Sequence, residues 1–181
     1  NYLSSEGNVL WNFKENKKYG YRVTGIGRDD TFQLYQKQST NAENEIVTFA
    51  LEEKANLNNK NIGYLDNLEF LLWGDNNEEL TFPVEDLLST SPKGNMLRNW
   101  KIQIKSGAGL NTSVYFKLNN SDIATDLPKL KIFRSTEDFQ NNIAELYSGT
   151  RENDSIVVYK NITWDLDHNG TDYFTLNNVQ N

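Results

Sequence analysis

Apolar and polar residues alternate along most of the chain, the two-residue period of a half-buried β-strand. The cleanest case is Trp100-Lys101-Ile102-Gln103-Ile104-Lys105, with three apolar residues on one face and three polar residues on the other. Val9–Phe13, Tyr19–Ile26, Phe32–Gln38, Glu45–Leu51, Thr112–Leu118, Lys129–Phe133, Ser155–Tyr159 and Asp172–Leu176 follow the same rule. Phe70-Leu71-Leu72-Trp73 is continuously apolar, which suits a strand buried on both faces. Turn chemistry falls between these runs, at Gly27-Arg28-Asp29-Asp30, Gly74-Asp75-Asn76-Asn77 and Ser106-Gly107-Ala108-Gly109.

Together the runs predict about eleven short strands, and turn signals at short intervals point to an all-β fold, an antiparallel β-sandwich of jelly-roll or immunoglobulin-like type. Helical signals are confined to Ser135–Leu146, with Ser135 or Thr136 as caps, and to a single turn at Val84–Leu88. No strand is followed by a crossover helix, so an α/β sheet is excluded. The expected organisation is one sandwich over residues 1–181. Ser89–Asn95 is the best linker, and the alternative is a division into 1–91 and 92–181.

Composition sharpens this picture. The chain has 181 residues, of which 26 are asparagine, with 4 Trp, 9 Tyr and 9 Phe. So many aromatics argue against disorder, and so many turn formers argue for short strands. Five N-x-S/T sequons, at Asn111, Asn119, Asn153, Asn161 and Asn169, follow from that abundance and are not read as glycan sites. The balance of 18 basic against 25 acidic residues gives a net charge of −7, which disfavours nucleic acid and anionic lipid as partners. No apolar run is long enough for membrane insertion, and no basic-then-apolar leader opens the sequence. With no cysteine there are no disulfides, zinc–thiolate sites or thiol nucleophiles, and one histidine excludes mechanisms needing two.

Six segments occur in order along the chain: G-N-V-L-W-N (Gly7–Asn12), T-G-I-G-R-D-D (Thr24–Asp30), Q-K-Q-S (Gln36–Ser39), L-L-W-G-D-N (Leu71–Asn76), M-L-R-N-W-K (Met96–Lys101) and D-Y-F-T-L (Asp172–Leu176). Together they resemble a β-rich module of large secreted surface proteins of the Bacteroidota. Such proteins often end in a type IX secretion signal, and the module commonly follows a laminin-G or concanavalin-like sandwich. The resemblance implies an extracellular or cell-surface location and neighbouring domains of a longer chain as partners. Family members often carry an Asp/Gly-rich loop after the strand equivalent to Leu130–Phe133. Here Arg134–Asn142 reads R-S-T-E-D-F-Q-N-N instead.

Candidate chemistry is sparse. Asp165-Leu166-Asp167-His168-Asn169-Gly170 has the D-x-D-x-N-G spacing with which alternate oxygens converge on calcium, so Asp165, Asp167 and Asn169 are the metal-ligand candidates and calcium the candidate cofactor. The twelfth position is Leu176 rather than an acid, and the competing expectation is a hairpin turn from Ile162–Trp164 into Tyr173–Leu176. Asp29-Asp30 and Asp75 would form a second acidic set if their turns met at one end of the sandwich; otherwise they cap local backbone.

Nothing singles out a carboxylate pair for glycoside hydrolysis, and His168 has no nucleophile framed beside it. No catalytic residue is therefore assigned. Trp11, Trp73 and Trp100 read as core, whereas Trp164 and the tyrosines Tyr19, Tyr21 and Tyr35 are candidates for an exposed sugar-stacking platform. The expected role is a noncatalytic surface module for adhesion, ligand presentation or spacing, with a surface glycan or protein as ligand. A carbohydrate-binding module of a secreted enzyme is the alternative, and a hydrolase with an unrecognised carboxylate pair the third.

Overall fold

A computed structural model describes residues 1–43, 45–82, 94–106, 109–118, 127–134 and 144–178. Its strands are β1 (Tyr2–Leu3), β2 (Val9–Trp11), β3 (Tyr21–Asp29), β4 (Leu34–Gln36), β5 (Gln38–Thr40), β6 (Val47–Ala50) and β7 (Phe70–Asp75). The second half adds β8 (Trp100–Lys105), β9 (Leu110–Lys117), β10 (Lys129–Arg134), β11 (Ala144–Ser148), β12 (Thr150–Asn153), β13 (Ile156–Trp164) and β14 (Thr171–Asn177). Two single 3-10 turns, Lys17–Tyr19 and Asn58–Lys60, are the helical elements among the described residues.

The strands form a seven-stranded sheet in the order β11-β10-β14-β8-β7-β3-β4, a five-stranded sheet in the order β12-β13-β9-β6-β5, and the small β1-β2 pair. Every pairing is antiparallel. The fold is thus an all-β sandwich. Both large sheets combine strands from before and after the Ser89–Asn95 connection, of which residues 89–93 lie outside the described residues.

Period-2 patterning assigns the faces. Trp100, Ile102 and Ile104 of β8 enter the core between the sheets, as do Leu71 and Trp73 of β7 and Phe174 and Leu176 of β14. Phe49 of β6, Val114 and Phe116 of β9, and Tyr159, Ile162 and Trp164 of β13 meet them from the five-stranded sheet. Phe174 is the hub of this core: its ring stacks on Trp100 at 5.2 Å and 8° and touches Phe49, Phe116 and Trp164 within 6.2 Å.

Four local expectations are corrected. Tyr19 belongs to a 3-10 turn, not to the strand that starts at Tyr21. Gly27–Asp29 continue β3 and Gly74-Asp75 complete β7, because each pairs with a neighbouring strand that outlasts the local turn signal. Ala144–Leu146 form β11 rather than the end of a helix, since pairing with β10 supplies hydrogen bonds that a lone helical turn could not match. The other residues of that segment, 135–143, and Val84–Leu88 lie outside the described residues.

Because both sheets interleave the two halves, unfolding should be one cooperative transition by calorimetry, and residues 1–91 or 92–181 alone should not fold. Phe174→Ala should cost about 3–5 kcal/mol, the usual range for a large aromatic lost from a packed core, measured by urea denaturation. A cost under about 1 kcal/mol would contradict the hub role.

Candidate functional site

The site is built on the outward face of the seven-stranded sheet. Alternation that sends Trp100, Ile102 and Ile104 inward sends Lys101, Gln103 and Lys105 outward, and it likewise turns Phe70 and Leu72 of β7 and Tyr173 of β14 outward. An apolar row on an outer face needs cover, and the N-terminal segment supplies it. Leu10, Trp11 and Tyr19 pack on Phe70, Leu72, Phe133 and Tyr173. Gly74 permits the close approach: a Cβ there would stand 2.3 Å from the Tyr19 carbonyl oxygen. Gly27 keeps the β3 part of the floor low, where a Cβ would overlap the Phe70 ring at 2.3 Å.

The cover is incomplete, and three adjoining cavities remain beside it. The largest, 730 Å³, lies between Ser4–Leu10 and the stretch Asp66–Phe70, with Lys105 and Ser106 at its end. A second of 490 Å³ runs from Tyr2, Leu3 and Leu10 over Gly25 and Gly27 to Leu34 and Gln36. The third, 300 Å³, lies between Glu15-Asn16 and Lys101, Gln103 and Thr171. Leu10 and Phe70 line both the first and the second cavity, and Lys105 lines both the first and the third. The result is a trough crossing β14, β8, β7, β3 and β4.

Its walls mix hydrogen-bonding groups with apolar faces. Glu69 is held in place by two bonds, from the Ser106 hydroxyl at 2.6 Å and from the Asp66 backbone N–H at 2.7 Å. The same cavity is lined by Val9, 42% exposed, and by the buried Leu10 and Phe70. Such a surface can pair hydroxyls and pack against the apolar face of a ring in the same ligand.

Of the sequence-predicted metal residues, Asn169 lines the 300 Å³ cavity, while Asp165 and Asp167 line none of the three. Asp165, Asp167 and Asn169 occupy the connection from β13 to β14, but these strands belong to different sheets, so the segment is not a hairpin turn. Inter-sheet packing of Trp164 and Phe174 sets this course and overrides the Asn-Gly hairpin signal. The oxygens of the motif are spent locally. Buried Asp165 accepts from the Gly170 N–H at 2.7 Å, Asp167 accepts from the Asn169 amide at 2.8 Å, and Asn169 accepts from the Thr171 N–H at 2.8 Å. Among the described residues no three His, Cys, Asp or Glu side chains are grouped to hold a metal ion. His168 is exposed in this turn.

The second acidic set is not brought together. Tyr21 pairs with Asp75 at the start of β3, whereas Asp29 ends the strand eight residues on, about 26 Å away at strand rise. Each is satisfied where it stands. Asp75 is gripped through both oxygens by Arg22 and accepts from the Asn77 N–H at 2.8 Å. Burial opposes charge on Asp29, but hydrogen bonds from Ser5, Phe32 and Thr31 outweigh it and hold the carboxyl below its ordinary range.

The aromatic platform is also corrected. Trp164 is fully buried and donates to the Thr112 hydroxyl at 2.8 Å, and Tyr19 is buried against Tyr173. Tyr21 is exposed by itself. Tyr35 carries the Arg28 guanidinium at 4.9 Å and the Lys37 ammonium at 4.8 Å on its ring, which places it in a structural stack.

Buried Asp172 faces the core beside Arg134 and accepts the Asp165 N–H at 2.6 Å, leaving its other oxygen without a hydrogen bond. Burial is the main cause that pushes its carboxyl up to about 7, helped by Asp165 and Asp167 and opposed by the Asp165 N–H and Arg134.

A family model, described as "Domain of unknown function (DUF8202)", matches residues 1–169. The chain belongs to the DUF8202 family. The matched range contains the N-terminal cover, most of the trough floor and the whole five-stranded sheet. No curated protein and no solved structure matches the chain.

No trough residue was legible beforehand as part of a glycan surface; Asn169, which lines the third cavity, was read only as a metal-ligand candidate. The alternation around Trp100–Lys105 marks Lys101, Gln103 and Lys105 as outward-facing, and that is the one signal available. The remaining walls come from segments whose meeting depends on how the N-terminal segment folds back.

Two measurements check these assignments. Folded Asp172 keeps its proton to about pH 7, against 3.8 in the unfolded chain, so the folded state binds the extra proton between these values. Stability contributed by this group is full below about pH 4 and falls as pH rises to 7. Asp172→Asn should flatten that slope by an amount on the order of a few kcal/mol in urea titrations across the window. Melting curves in EDTA and in about 10 mM calcium, well above the affinity of weak extracellular sites, should coincide. A calcium-dependent rise lost in Asp167→Ala would assign the turn a cation after all.

Proposed function

We propose that this chain is a noncatalytic recognition module of a bacterial cell-surface or secreted protein, and that it holds a glycan in the trough on the seven-stranded sheet. The observation that carries this reading is that the three cavities adjoin, the first sharing Leu10 and Phe70 with the second and Lys105 with the third, which gives an elongated, amphipathic binding surface instead of one enclosed pocket. A chain of sugar rings matches such a surface. Each ring offers hydroxyls to groups such as Ser4, Asn8 and Glu69 and a C–H face to the exposed Val9, Leu34 or Tyr2. Surface placement is supported by the six ordered segments similar to a module of secreted Bacteroidota proteins, and adhesion or carbohydrate targeting would then be shared with neighbouring domains of the longer chain.

The test is a glycan array followed by isothermal titration of the glycans retained. Val9→Arg and Leu34→Arg, at partly exposed trough positions, should each weaken binding at least about tenfold, the effect of 1.4 kcal/mol. Melting temperature should stay unchanged in both. Ile62→Arg, at an exposed position outside the trough, should bind as the wild type does. Retention of no glycan, or full binding by both trough variants, would refute the proposal.

A further inference from the structure

We infer that the end of the trough over β8 and β14 is an anion subsite that takes the carboxylate or sulfate of one acidic sugar. The inference rests on the glycan reading of the trough and names the ligand class within it. The 300 Å³ cavity at this end is lined almost wholly by polar groups, Ile104 being the exception. One of them, Asn16, is 2% exposed, and its side-chain amide nitrogen has no hydrogen-bond partner. A buried N–H left unpaired costs about 1–3 kcal/mol, and a shift of the Asn16 side chain that turned its nitrogen to a ligand's acceptor oxygen in the adjoining cavity would remove that cost.

The charges agree with that donor. Lys101 and Lys105 both line the cavity from the outward row of β8, against the single carboxylate of Glu15, in a chain whose net charge is −7. Lys101 is buried, with its ammonium 5.5 Å from the centroid of the Tyr173 ring. Lys105 is exposed and makes no ion pair with a described residue. The adjoining 730 Å³ cavity instead presents Asp66 and Glu69, whose carboxylates repel a second anion. The arrangement therefore suits a glycan with one acidic residue, seated over Lys105, and neutral rings beyond it.

An array of neutral, uronic-acid-terminated and sulfate-terminated oligosaccharides tests this. The strongest acidic glycan and its neutral counterpart are then compared by titration calorimetry. The acidic form should bind at least about tenfold more tightly, the weight of one charge-assisted hydrogen bond, and added salt should narrow the difference. Lys105→Gln, at an exposed position, should remove most of that advantage by weakening the acidic glycan far more than the neutral one, with the melting temperature unchanged. Asn16→Ala should act in the same direction. Preference for the uronate or for the sulfate arm would say which group the subsite takes. Equal binding of acidic and neutral forms, or equal weakening of both by Lys105→Gln, would overturn the anion subsite and leave the glycan role of the trough standing. Binding of no oligosaccharide in any arm would overturn both.

Discussion

Everything in this fold depends on the aromatic cluster around Phe174. Its ring lies against Trp100 of the neighbouring strand and against Phe49, Phe116 and Trp164 of the opposite sheet. That single position ties three strands of the five-stranded sheet to the middle of the seven-stranded one. Offset and edge-to-face contacts add about 0.5–1.5 kcal/mol per pair beyond area burial, and they are directional. The cluster therefore fixes the relative register of the sheets as well as holding them together. It also explains why the chain runs from β13 to β14 across the sandwich. Trp164 and Phe174 must face each other from different sheets, so the Asp165–Gly170 turn bridges the layers.

Fixing the inner face of a strand fixes its outer face as well. With Phe174 inward, Tyr173 is outward; with Trp73 inward, Phe70 and Leu72 lie on the opposite side along with Gly74. The seven-stranded sheet thus carries a second apolar surface that water would disfavour. Trp11 and Tyr19 cover its centre, which gives the N-terminal segment a structural role despite its few regular hydrogen bonds. The trough exists because this cover is a narrow irregular segment over a broad sheet. Its proposed function follows from that mismatch in width.

Asparagine has a larger structural share than turn formation alone. Buried Asn61 donates to the carbonyls of Leu51 and Glu53 and accepts the Gly63 N–H, while Asn58 bonds both the carbonyl of Tyr35 and the N–H of Lys37. Together they fasten the long connection between β6 and β7 to the edge strands β4 and β5. Buried Asn41 closes the approach to β6 by accepting the Val47 N–H at 2.6 Å. These side chains replace the backbone partners that irregular segments lack. The connections are thereby ordered without an α-helix or a disulfide.

The sequence by itself determined the class of fold, most strand positions and, in alternating strands such as Trp100–Lys105, which residues share a face, because a two-residue period is a local property of the backbone. It marked Trp11, Trp73 and Trp100 as core, and Lys101, Gln103 and Lys105 as an outward row. Strand order, the crossing of the acidic turn between sheets and the burial of Trp164 were decided only in three dimensions. They rest on pairings between residues far apart in the chain, such as Phe49 with Phe174, which no local pattern encodes. The trough was decided there too. Asn16, Glu69 and Lys105 carry no shared motif, and they line one surface because the N-terminal segment packs on Phe70 and Tyr173 rather than anywhere else.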